Sequence, residues 1–291
     1  MRIAVVTTSY PRFSGDPSGH FVESEVLALR ALGHEVSVIA PKTRWFASPG
    51  IAENVSSRPW VAPLAAQSLF ELRREWIALG PFERTIAHWA LPSAWILPQG
   101  ASPLEIVSHG ADVRLLISLP RLLRNEVVAR LAERSSKWRF VSQPLLEGLL
   151  KVISTATASL VTSRAVVEAS PLTLPRDEKL EEEIRARNSG RRYLVAIGRL
   201  TRKKRVDRAI RHAASMGREL VVIGQGSEQK RLERIATQHG ARVEFLGELP
   251  RAETLAWLAS ADGLLFASRH EGLSTVCREA RRLDVPVLLV D

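Results

Sequence analysis

The chain has 291 residues, of which 45% are hydrophobic and 25% are charged, a balance typical of an ordinary globular protein. This length is enough for two domains with separate cores. The single cysteine, Cys277, excludes an intrachain disulfide and is consistent with a reducing compartment. The formal net charge of +10 is spread along the chain and favours an anionic partner, either a nucleotide diphosphate, an acidic lipid or a nucleic acid.

The N-terminus shows no export signal, because the apolar run at residues 3–6 is too short for a signal-peptide core. No apolar run approaches the roughly 20 residues that span a bilayer. These features predict a cytoplasmic protein that does not span a membrane. Aromatic and arginine-rich segments at residues 69–76 and 121–139 leave open a peripheral contact with the inner face of the membrane, although core stripes with solvated faces have the same composition.

The first half of the chain alternates strands and helices, which is the pattern of a parallel sheet. Residues 2–8 are predicted to form a strand, residues 19–32 a helix that Gly33 ends, and residues 35–40 the next strand. The chain therefore begins with a complete βαβ unit. The further predicted elements of this half are short strands at residues 86–89, 105–108 and 139–142 and a helix at residues 122–134.

The second half resumes the alternation after a weaker stretch. Beyond residue 163 the pattern fades through two prolines and the charged run 176–187, and we predict the domain boundary there. The sequence therefore predicts an α/β fold of two doubly wound, Rossmann-like parallel-sheet domains, at residues 1–165 and 166–291. The strands predicted in the second domain lie at residues 193–197, 219–223, 243–245, 264–267 and 285–290.

The segment at residues 260–280 carries the strongest functional signal. Its apolar residues 263–267 predict a buried strand, and Ser274 or Thr275 can cap a helix that runs to about residue 283. Two carboxylates, Glu271 and Glu279, therefore flank the start of that helix. Backbone N–H groups at a helix N-terminus attract phosphate, and carboxylates accept hydrogen bonds from hydroxyls. This combination suits a ligand that is part anion and part polyol, such as a nucleotide sugar.

Other site chemistries are excluded by the residues that they would require. A nicotinamide-cofactor site needs G-x-G-x-x-G after the first strand, and the only similar run, at Gly224 and Gly226, has Gln229 at the third glycine. The chain has no P-loop and no G-x-S-x-G elbow. A zinc motif of the H-E-x-x-H type would require histidine where Ser274 stands. We therefore predict no metal and no cofactor.

Four segments of the second half carry short motifs in a fixed order. They include EGLSTVCRE at residues 271–279 and VAIGRL at residues 195–200, which is followed by Lys204. The first resembles the E-x7-E motif, and the second the GRL…K segment, of family 4 of the retaining glycosyltransferases, the glycosyl transferases group 1. VVIGQG at 221–226 and VEFLG at 243–247 resemble two further strand-end signatures in the same order. In the first half, three segments resemble further landmarks of that family, at residues 15–21, 33–34 and 108–113.

The resemblance implies the GT-B fold, in which two Rossmann-like domains face each other across a cleft. It further implies transfer of a hexosyl-type group from a nucleotide-diphosphate sugar to a glycan or lipid-linked acceptor, with retention of configuration and without a metal. The second domain would bind the donor, and the first would face the acceptor. Relatives usually continue beyond the strand at residues 285–290, so the second domain is expected to be C-terminally truncated.

The resemblance also implies roles for residues around the predicted helix start. Glu271 would contact hydroxyls of the donor sugar as part of the catalytic site, and Glu279 would contact the ribose. Backbone N–H groups of Gly272, Leu273 and Ser274 would approach the donor phosphates. The plain alternatives are that Glu271 is an ordinary loop acid and that Glu279 pairs with Arg278 or Arg282 on the helix surface.

Two cations and two first-domain residues complete the predicted site. Arg199 and Lys204 would neutralise the leaving diphosphate, because departure of that group develops negative charge. Gly19 would let the backbone meet the donor phosphate, and His109 would reach the sugar. Arg205 stands where relatives usually carry glycine, a departure expected to alter the loop.

Three alternatives stay open at this point. The first is a nucleotide-sugar epimerase or hydrolase of the same fold, and the second is a truncated, inactive relative. The third is an arginine-rich module that binds nucleic acid, which would bind arbitrary oligonucleotides with a steep salt dependence. The chain lacks a basic stripe with interleaved aromatic residues, so the prediction is that nucleic acid is not a partner.

Overall fold

The structure is a computed structural model that describes residues 1–13, 15–16, 18–42, 60, 62–100, 102–268 and 273–290. It divides the chain into two compact units. The first comprises Met1–Arg12 and Ser18–Pro171, and the second comprises Phe13–Pro17 and Leu172–Asp291. Each unit contains one sheet, and every strand pair among the described residues is parallel. The predicted α/β fold with two doubly wound parallel sheets is confirmed.

The first unit is built on six strands. They are β1 (Arg2–Val6), β2 (Glu35–Ile39), β3 (Arg84–His88), β4 (Leu104–Ser108), β5 (Ser135–Phe140) and β6 (Ala165–Val167). Their order in the sheet is β2-β1-β3-β4-β5-β6, so the direction of winding reverses between β1 and β3. Ligands of open α/β sheets bind outside the carboxyl ends of the strands at such a reversal.

Helices cover both faces of this sheet. They are α1 (His20–Ala31), α2 (Ala62–Leu79), α3 (Ala111–Ser118), α4 (Arg121–Arg134), α5 (Gln143–Leu150) and α6 (Thr155–Arg164). One face of the sheet forms an apolar core, to which Ala87, Ile106, Trp138 and Phe140 contribute alternate strand positions. No helix in the described part of the chain is long and apolar enough to cross a bilayer.

The second unit is built on five strands. They are β7 (Tyr193–Ile197), β8 (Glu219–Ile223), β9 (Val243–Gly247), β10 (Gly263–Phe266) and β11 (Val287–Leu289). The order is β11-β10-β7-β8-β9, so the winding reverses between β7 and β10. The helices are α7 (Glu178–Arg187), α8 (Val206–Ser215), α9 (Gln229–Gln238), α10 (Arg251–Ala259) and α11 (Thr275–Arg282). Alternate strand residues fill two apolar layers, with Leu194 in one and Val195 in the other.

Two regions differ from the sequence predictions. The strand predicted at residues 139–142 is wrong in its start, because β5 begins at Ser135. The charged run in which we predicted the domain boundary contains the helix α7, whose N-cap residue Asp177 accepts the N–H of Leu180 at 3.1 Å. Acidic residues in its first turn and arginines in its last turn complement the helix dipole, which favours a helix despite the high charge.

Candidate functional site

The two predicted cations of the second unit follow strand β7. Gly198 comes directly after that strand and has a φ of +144°. A Cβ atom placed on Gly198 would lie 3.8 Å from Cε and 4.0 Å from Nζ of Lys204, so the lysine side chain runs beside this glycine. Arg199 is the next residue, and a short 3-10 turn at Arg202–Lys204 returns the chain towards the strand end. Arg199 and Lys204 therefore lie at the carboxyl edge of the sheet, beside the reversal of winding.

Arg205 takes the backbone conformation that glycine favours. Its φ and ψ are +52° and +37°, in the left-handed region. The arginine therefore keeps the turn that the expected glycine would make, at a conformational cost of roughly 1–2 kcal/mol. Its guanidinium Nη1 donates to the carbonyl of Ala267 at 3.4 Å, and this bond links the segment after β7 to the segment after β10.

The G-x-G run of the second unit serves to pack two loops together. A Cβ atom on Gly224 would lie 2.1 Å from the carbonyl oxygen of Gly198, and one on Gly226 would lie 2.3 Å from that of Leu200. The backbone N–H of Leu200 donates to Gln225 at 2.9 Å across the same contact. These glycines therefore hold the loop after β7 in place.

The predicted helix start is present at α11. Ser274 is its N-cap residue, and its Oγ accepts the backbone N–H of Cys277 at 3.4 Å. Leu273 precedes the cap and is half-buried. Glu271 and Gly272, which carry two of the predicted roles, lie outside the described residues.

Glu279 lies in the second turn of α11 and is buried, with 2% of its surface exposed. Its carboxylate accepts from the Nη2 of Arg251, the first residue of α10, and this arginine is also buried. The ion pair with Arg251 thus joins Glu279 to a different helix. Arg251 was not singled out from the sequence, because nothing in a pattern pairs residues that are 28 positions apart.

Gly19 lies at the start of helix α1 in the first unit. Its φ is +69°, and a Cβ atom there would lie 2.2 Å from the carbonyl oxygen of Ser9, in the loop after β1. Glycine is therefore required by both the backbone conformation and the close approach of the loop. The N-terminus of α1 consequently lies at the carboxyl end of β1.

His109 follows strand β4 and is held on several sides. Its Nε2 lies 2.8 Å from Nδ1 of His88, the last residue of the neighbouring strand β3. Its ring packs against Phe21 and Trp89, with centroids 4.7 Å and 5.3 Å away. His109 and Gly19 therefore share the carboxyl edge of the first sheet, where β1, β3 and β4 are neighbours.

Asp112 anchors the loop that carries His109. Its buried carboxylate accepts backbone N–H groups from His109 at 3.2 Å, from Gly110 at 3.0 Å and from Ala90 at 2.9 Å. Burial raises the pKa of Asp112, and these hydrogen bonds oppose that rise. The sequence signal for this role was the His-Gly-Ala-Asp run, in which the acid follows the histidine by three residues.

Both histidines are neutral at neutral pH. Burial lowers the pKa of His88 to about 3, and the positive charge of Arg139 lowers it further in the same direction. Burial, followed by the neighbouring His88 and Arg139, likewise lowers the pKa of His109 well below its usual value. A neutral imidazole has one nitrogen that donates and one that accepts, so the protonation of each ring nitrogen matters for the chemistry of this edge.

The structure thus gives the predicted residues that it describes the following positions. Arg199 and Lys204 lie at the carboxyl edge of the second sheet, Leu273, Ser274 and Glu279 lie at the start and in the second turn of α11, and Gly19 and His109 lie at the carboxyl edge of the first sheet. Among the residues that the structure describes, no group of three or more His, Cys, Asp and Glu side chains is arranged to hold a metal ion.

Comparison with known proteins agrees with this architecture. Residues 177–291 match the family model described as Glycosyl transferases group 1. The chain is 25% identical, over 332 aligned residues covering all of it and 81% of the relative, to TuaC of Bacillus subtilis (strain 168), a glycosyltransferase provisionally assigned to teichuronic acid biosynthesis.

Solved structures share the fold over nearly the whole chain. Sucrose-phosphate synthase from Thermosynechococcus elongatus matches with a TM-score of 0.71 and 16% identity, covering 99% of this chain and 80% of that chain. Anabaena Alr3699/HepE in complex with UDP and glucose matches with a TM-score of 0.61 and 18% identity over the same shares of the two chains. These structures show the GT-B fold for the chain, and residues 177–291 match the glycosyl transferases group 1 model.

Proposed function

We propose that this protein is a glycosyltransferase that moves a hexosyl-type group from a nucleotide-diphosphate sugar to a glycan or lipid-linked acceptor, with retention of configuration and without a divalent metal. The observation that carries the proposal is the pair of cations, Arg199 and Lys204, at the carboxyl edge of the second sheet in the loop after β7, whose neighbour β10 precedes α11 in the chain. Similar structures contain UDP, alone or together with glucose, and this supports a nucleotide-sugar donor.

The two cations would act on the leaving diphosphate. Lys204 is held beside Gly198, and the turn that carries it is fixed by Arg205 and by the packing of Gly224. Cations that are already in place stabilise developing negative charge without reorganisation, and loss of one such group typically costs about 10²–10³ in turnover. In our proposal this pair takes the role that a metal ion has in other phosphate-transfer sites.

The remaining residues would position the sugar and the ribose. We propose that Glu271 contacts sugar hydroxyls, that Glu279 contacts the ribose, and that backbone N–H groups of Gly272, Leu273 and Ser274 approach the phosphates. The ion pair with Arg251 fixes the orientation of the Glu279 carboxylate. On the first unit, Gly19 would meet a donor phosphate and His109 would contact a sugar hydroxyl.

We also propose that a lipid-linked acceptor would bring the first unit to a membrane surface. Leu122 and Leu123, at the start of α4, are 86% and 49% exposed, and the exposed Arg121 precedes them. Exposed leucines next to cations suit an anionic lipid surface. The Leu122→Glu, Leu123→Glu variant should lose sedimentation with vesicles that contain anionic lipid, and unchanged sedimentation would remove this part of the proposal.

A thermal-shift panel tests the donor site. UDP, GDP and ADP are each added to the wild type in the presence of EDTA, and we expect one of them to raise the melting temperature. Lys204→Ala should weaken that binding by roughly 10- to 100-fold, because a hydrogen bond to a charged group contributes about 1.5–3 kcal/mol. Lys203→Ala is the matched control, since it removes the same charge one residue away on an exposed side chain.

Two outcomes would count against the proposal. Stabilisation that requires magnesium would contradict metal independence, and equal losses in Lys203→Ala and Lys204→Ala would show that only net charge matters. Product analysis with the donor sugar alone separates transfer from the alternative activities, because an epimerase or hydrolase would change the sugar without any acceptor.

A further inference from the structure

One face of the first sheet carries a row of charged and titratable residues, which is unusual for parallel strands that are buried on both sides. His88 on β3 lies opposite Val107 on β4, which lies opposite Arg139 on β5, and Glu105 stands two residues earlier on β4. Glu25 of helix α1 covers this row. Glu25, His88, Glu105 and Arg139 are all buried, with at most 4% of each residue exposed.

The carboxylate of Glu25 has two different neighbours. Its Oε1 accepts from Nη2 of Arg139, and Nε of that arginine lies 3.0 Å from Oε1 of Glu105. Its other oxygen, Oε2, lies 3.8 Å from Nε2 of His88. Neither Oε2 of Glu25 nor Nε2 of His88 has a hydrogen-bond partner among the described residues, and both atoms are buried.

This arrangement decides where the protons of the two histidines lie. Oε1 of Glu25 accepts from Arg139, and Oε2 presents the acceptor side of the same carboxylate to His88. This contact favours the His88 tautomer in which Nε2 bears the hydrogen. Nδ1 of a neutral His88 is then a bare acceptor, and the 2.8 Å contact requires Nε2 of His109 to be the donor. Nδ1 of His109 is left with its lone pair, and it has no hydrogen-bond partner within the described part of the chain.

We propose that Glu25 is a positioning residue that fixes, through His88, the tautomer of His109, so that Nδ1 of His109 accepts a hydrogen bond from a hydroxyl of the bound sugar. The sugar contact rests on the proposed glycosyl transfer, whereas the tautomer does not. Packing of the His109 ring against Phe21 and Trp89 fixes the direction in which Nδ1 points. The tautomer of His109 therefore determines whether Nδ1 accepts or donates a hydrogen bond.

Replacing Glu25 by glutamine should reverse the hydrogen positions on both histidines. Arg139 requires an acceptor, so the amide oxygen of the new residue takes the place of Oε1. The amide NH2 then takes the place of Oε2 and donates towards Nε2 of His88. His88 would carry its proton on Nδ1 and donate to Nε2 of His109, and His109 would carry its own proton on Nδ1. The acceptor offered to the sugar would become a donor.

Nitrogen-15 spectra of imidazole-labelled protein report the tautomer directly, with His109→Asn providing the assignment among the seven histidines. At pH 7 we expect the wild type to carry the His109 proton on Nε2 and Glu25→Gln to carry it on Nδ1. Glu25→Asp keeps a carboxylate and should keep the wild-type pattern.

Glu105→Gln is the matched control. It removes a buried carboxylate from the same arginine but does not face His88, so a purely structural role for the network predicts equal effects of the two variants. A proton on Nδ1 of His109 in the wild type, the same tautomer in the wild type and Glu25→Gln, or a change in Glu105→Gln as well would each overturn the proposal. If Glu25→Gln does not fold, the wild-type and Glu25→Asp spectra decide.

Kinetics separate failure of this inference from failure of the proposed function. With a transferred sugar, Glu25→Gln should lower kcat by roughly 10- to 100-fold and leave nucleoside diphosphate affinity unchanged, because the hydrogen bond to the sugar is lost while the cations of the second unit are untouched. An inverted tautomer with unchanged kcat would overturn the sugar contact. Absence of transfer in the wild type would overturn the proposed function and leave the tautomer result standing.

Discussion

At the scale of single residues, close backbone approaches decide where glycine is needed. Gly19 and Gly33 flank helix α1 and both have positive φ, of +69° and +81°. They differ in their surroundings, because a Cβ atom on Gly19 would lie 2.2 Å from Ser9 O and one on Gly33 would meet nothing within 4 Å. This pair therefore separates backbone conformation from steric contact.

Alanine substitutions measure the difference. Gly33→Ala should lower the free energy of unfolding by roughly 1–2 kcal/mol, the cost of the left-handed conformation. Gly19→Ala should lose about 1–3 kcal/mol more, because the loop after β1 must move. Urea unfolding measures both values. Equal losses would show that the loop containing Ser9 moves away from a Cβ atom at position 19 without a measurable cost.

The buried histidine predicts a specific pH dependence of stability. The pKa of His88 is lowered to about 3 in the folded protein, against about 6.5 in the unfolded chain. Between these values the unfolded state binds the additional proton, so stability is full above pH 6.5 and is lost as the pH falls, by about 1.4 kcal/mol per pH unit.

The His88→Asn variant should remove this dependence. Between pH 4.5 and 6, the free energy of unfolding of this variant should fall less steeply with falling pH than that of the wild type. The difference in slope should be about 1.4 kcal/mol per pH unit, which corresponds to one proton. Above pH 7 the two curves should run parallel. Equal slopes in the acidic range would show that His88 is protonated as readily in the folded state as in the unfolded chain.

Some residue-level features were predictable and others were not. The glycines and the arginine–lysine pair of the second unit stand in short local patterns, so their positions follow from the sequence. The ion pair of Glu25 and Arg139 joins residues 114 positions apart, and only the three-dimensional packing of α1 on β5 reveals it. The only sequence signal was one charged or titratable residue in each of three predicted strands, namely His88, Glu105 and Arg139.

At the scale of elements, one buried ion pair joins two helices of the second unit. Arg251 begins α10 and Glu279 lies in α11, and both are buried. Removal of one partner of a buried ion pair leaves the other charge uncompensated, and such changes typically cost about 3–5 kcal/mol. This pair therefore makes the docking of the two helices depend on charge as well as on apolar packing.

Arg251→Met should lower the free energy of unfolding by about 3–5 kcal/mol, and the double variant with Glu279→Leu should recover part of that loss. Arg130→Met is the control, because Arg130 pairs at 2.6 Å with Glu126 on the surface of α4, where both side chains are more than half exposed. Its cost should stay below about 1 kcal/mol in the same urea titration. If Arg251→Met lost as little free energy of unfolding as Arg130→Met, the buried ion pair would not contribute to the stability of the fold.

The elements themselves were largely predictable, because a buried parallel strand is a short apolar run between turn residues. Strands β7 and β8 agree with their predicted bounds at both ends. Strand β5 was placed too late because its first residues, Ser-Ser-Lys, are polar and break the apolar pattern. Helix α7 was missed as an element because its burial rests on few apolar side chains, Ile184 among them.

At the scale of the whole molecule, each unit has its own sheet and its own apolar core. The family model matches residues 177–291, the half in which the four resembling segments lie. The fold similarity extends over 99% of the chain in the solved structures. The fold class could therefore be predicted from periodicity and family resemblance. The buried polar network of the first unit could be recognised only from the three-dimensional structure.

The central claim is that a nucleoside diphosphate binds at the carboxyl edge of the second sheet. Hydrogen–deuterium exchange with and without the stabilising diphosphate, in EDTA, locates the binding site along the chain. We expect slower exchange in peptides that cover residues 198–205 and 273–280, and no such change in Lys204→Ala at the same concentration. Slower exchange confined to other segments, or no change at any concentration of UDP, GDP or ADP, would contradict the account.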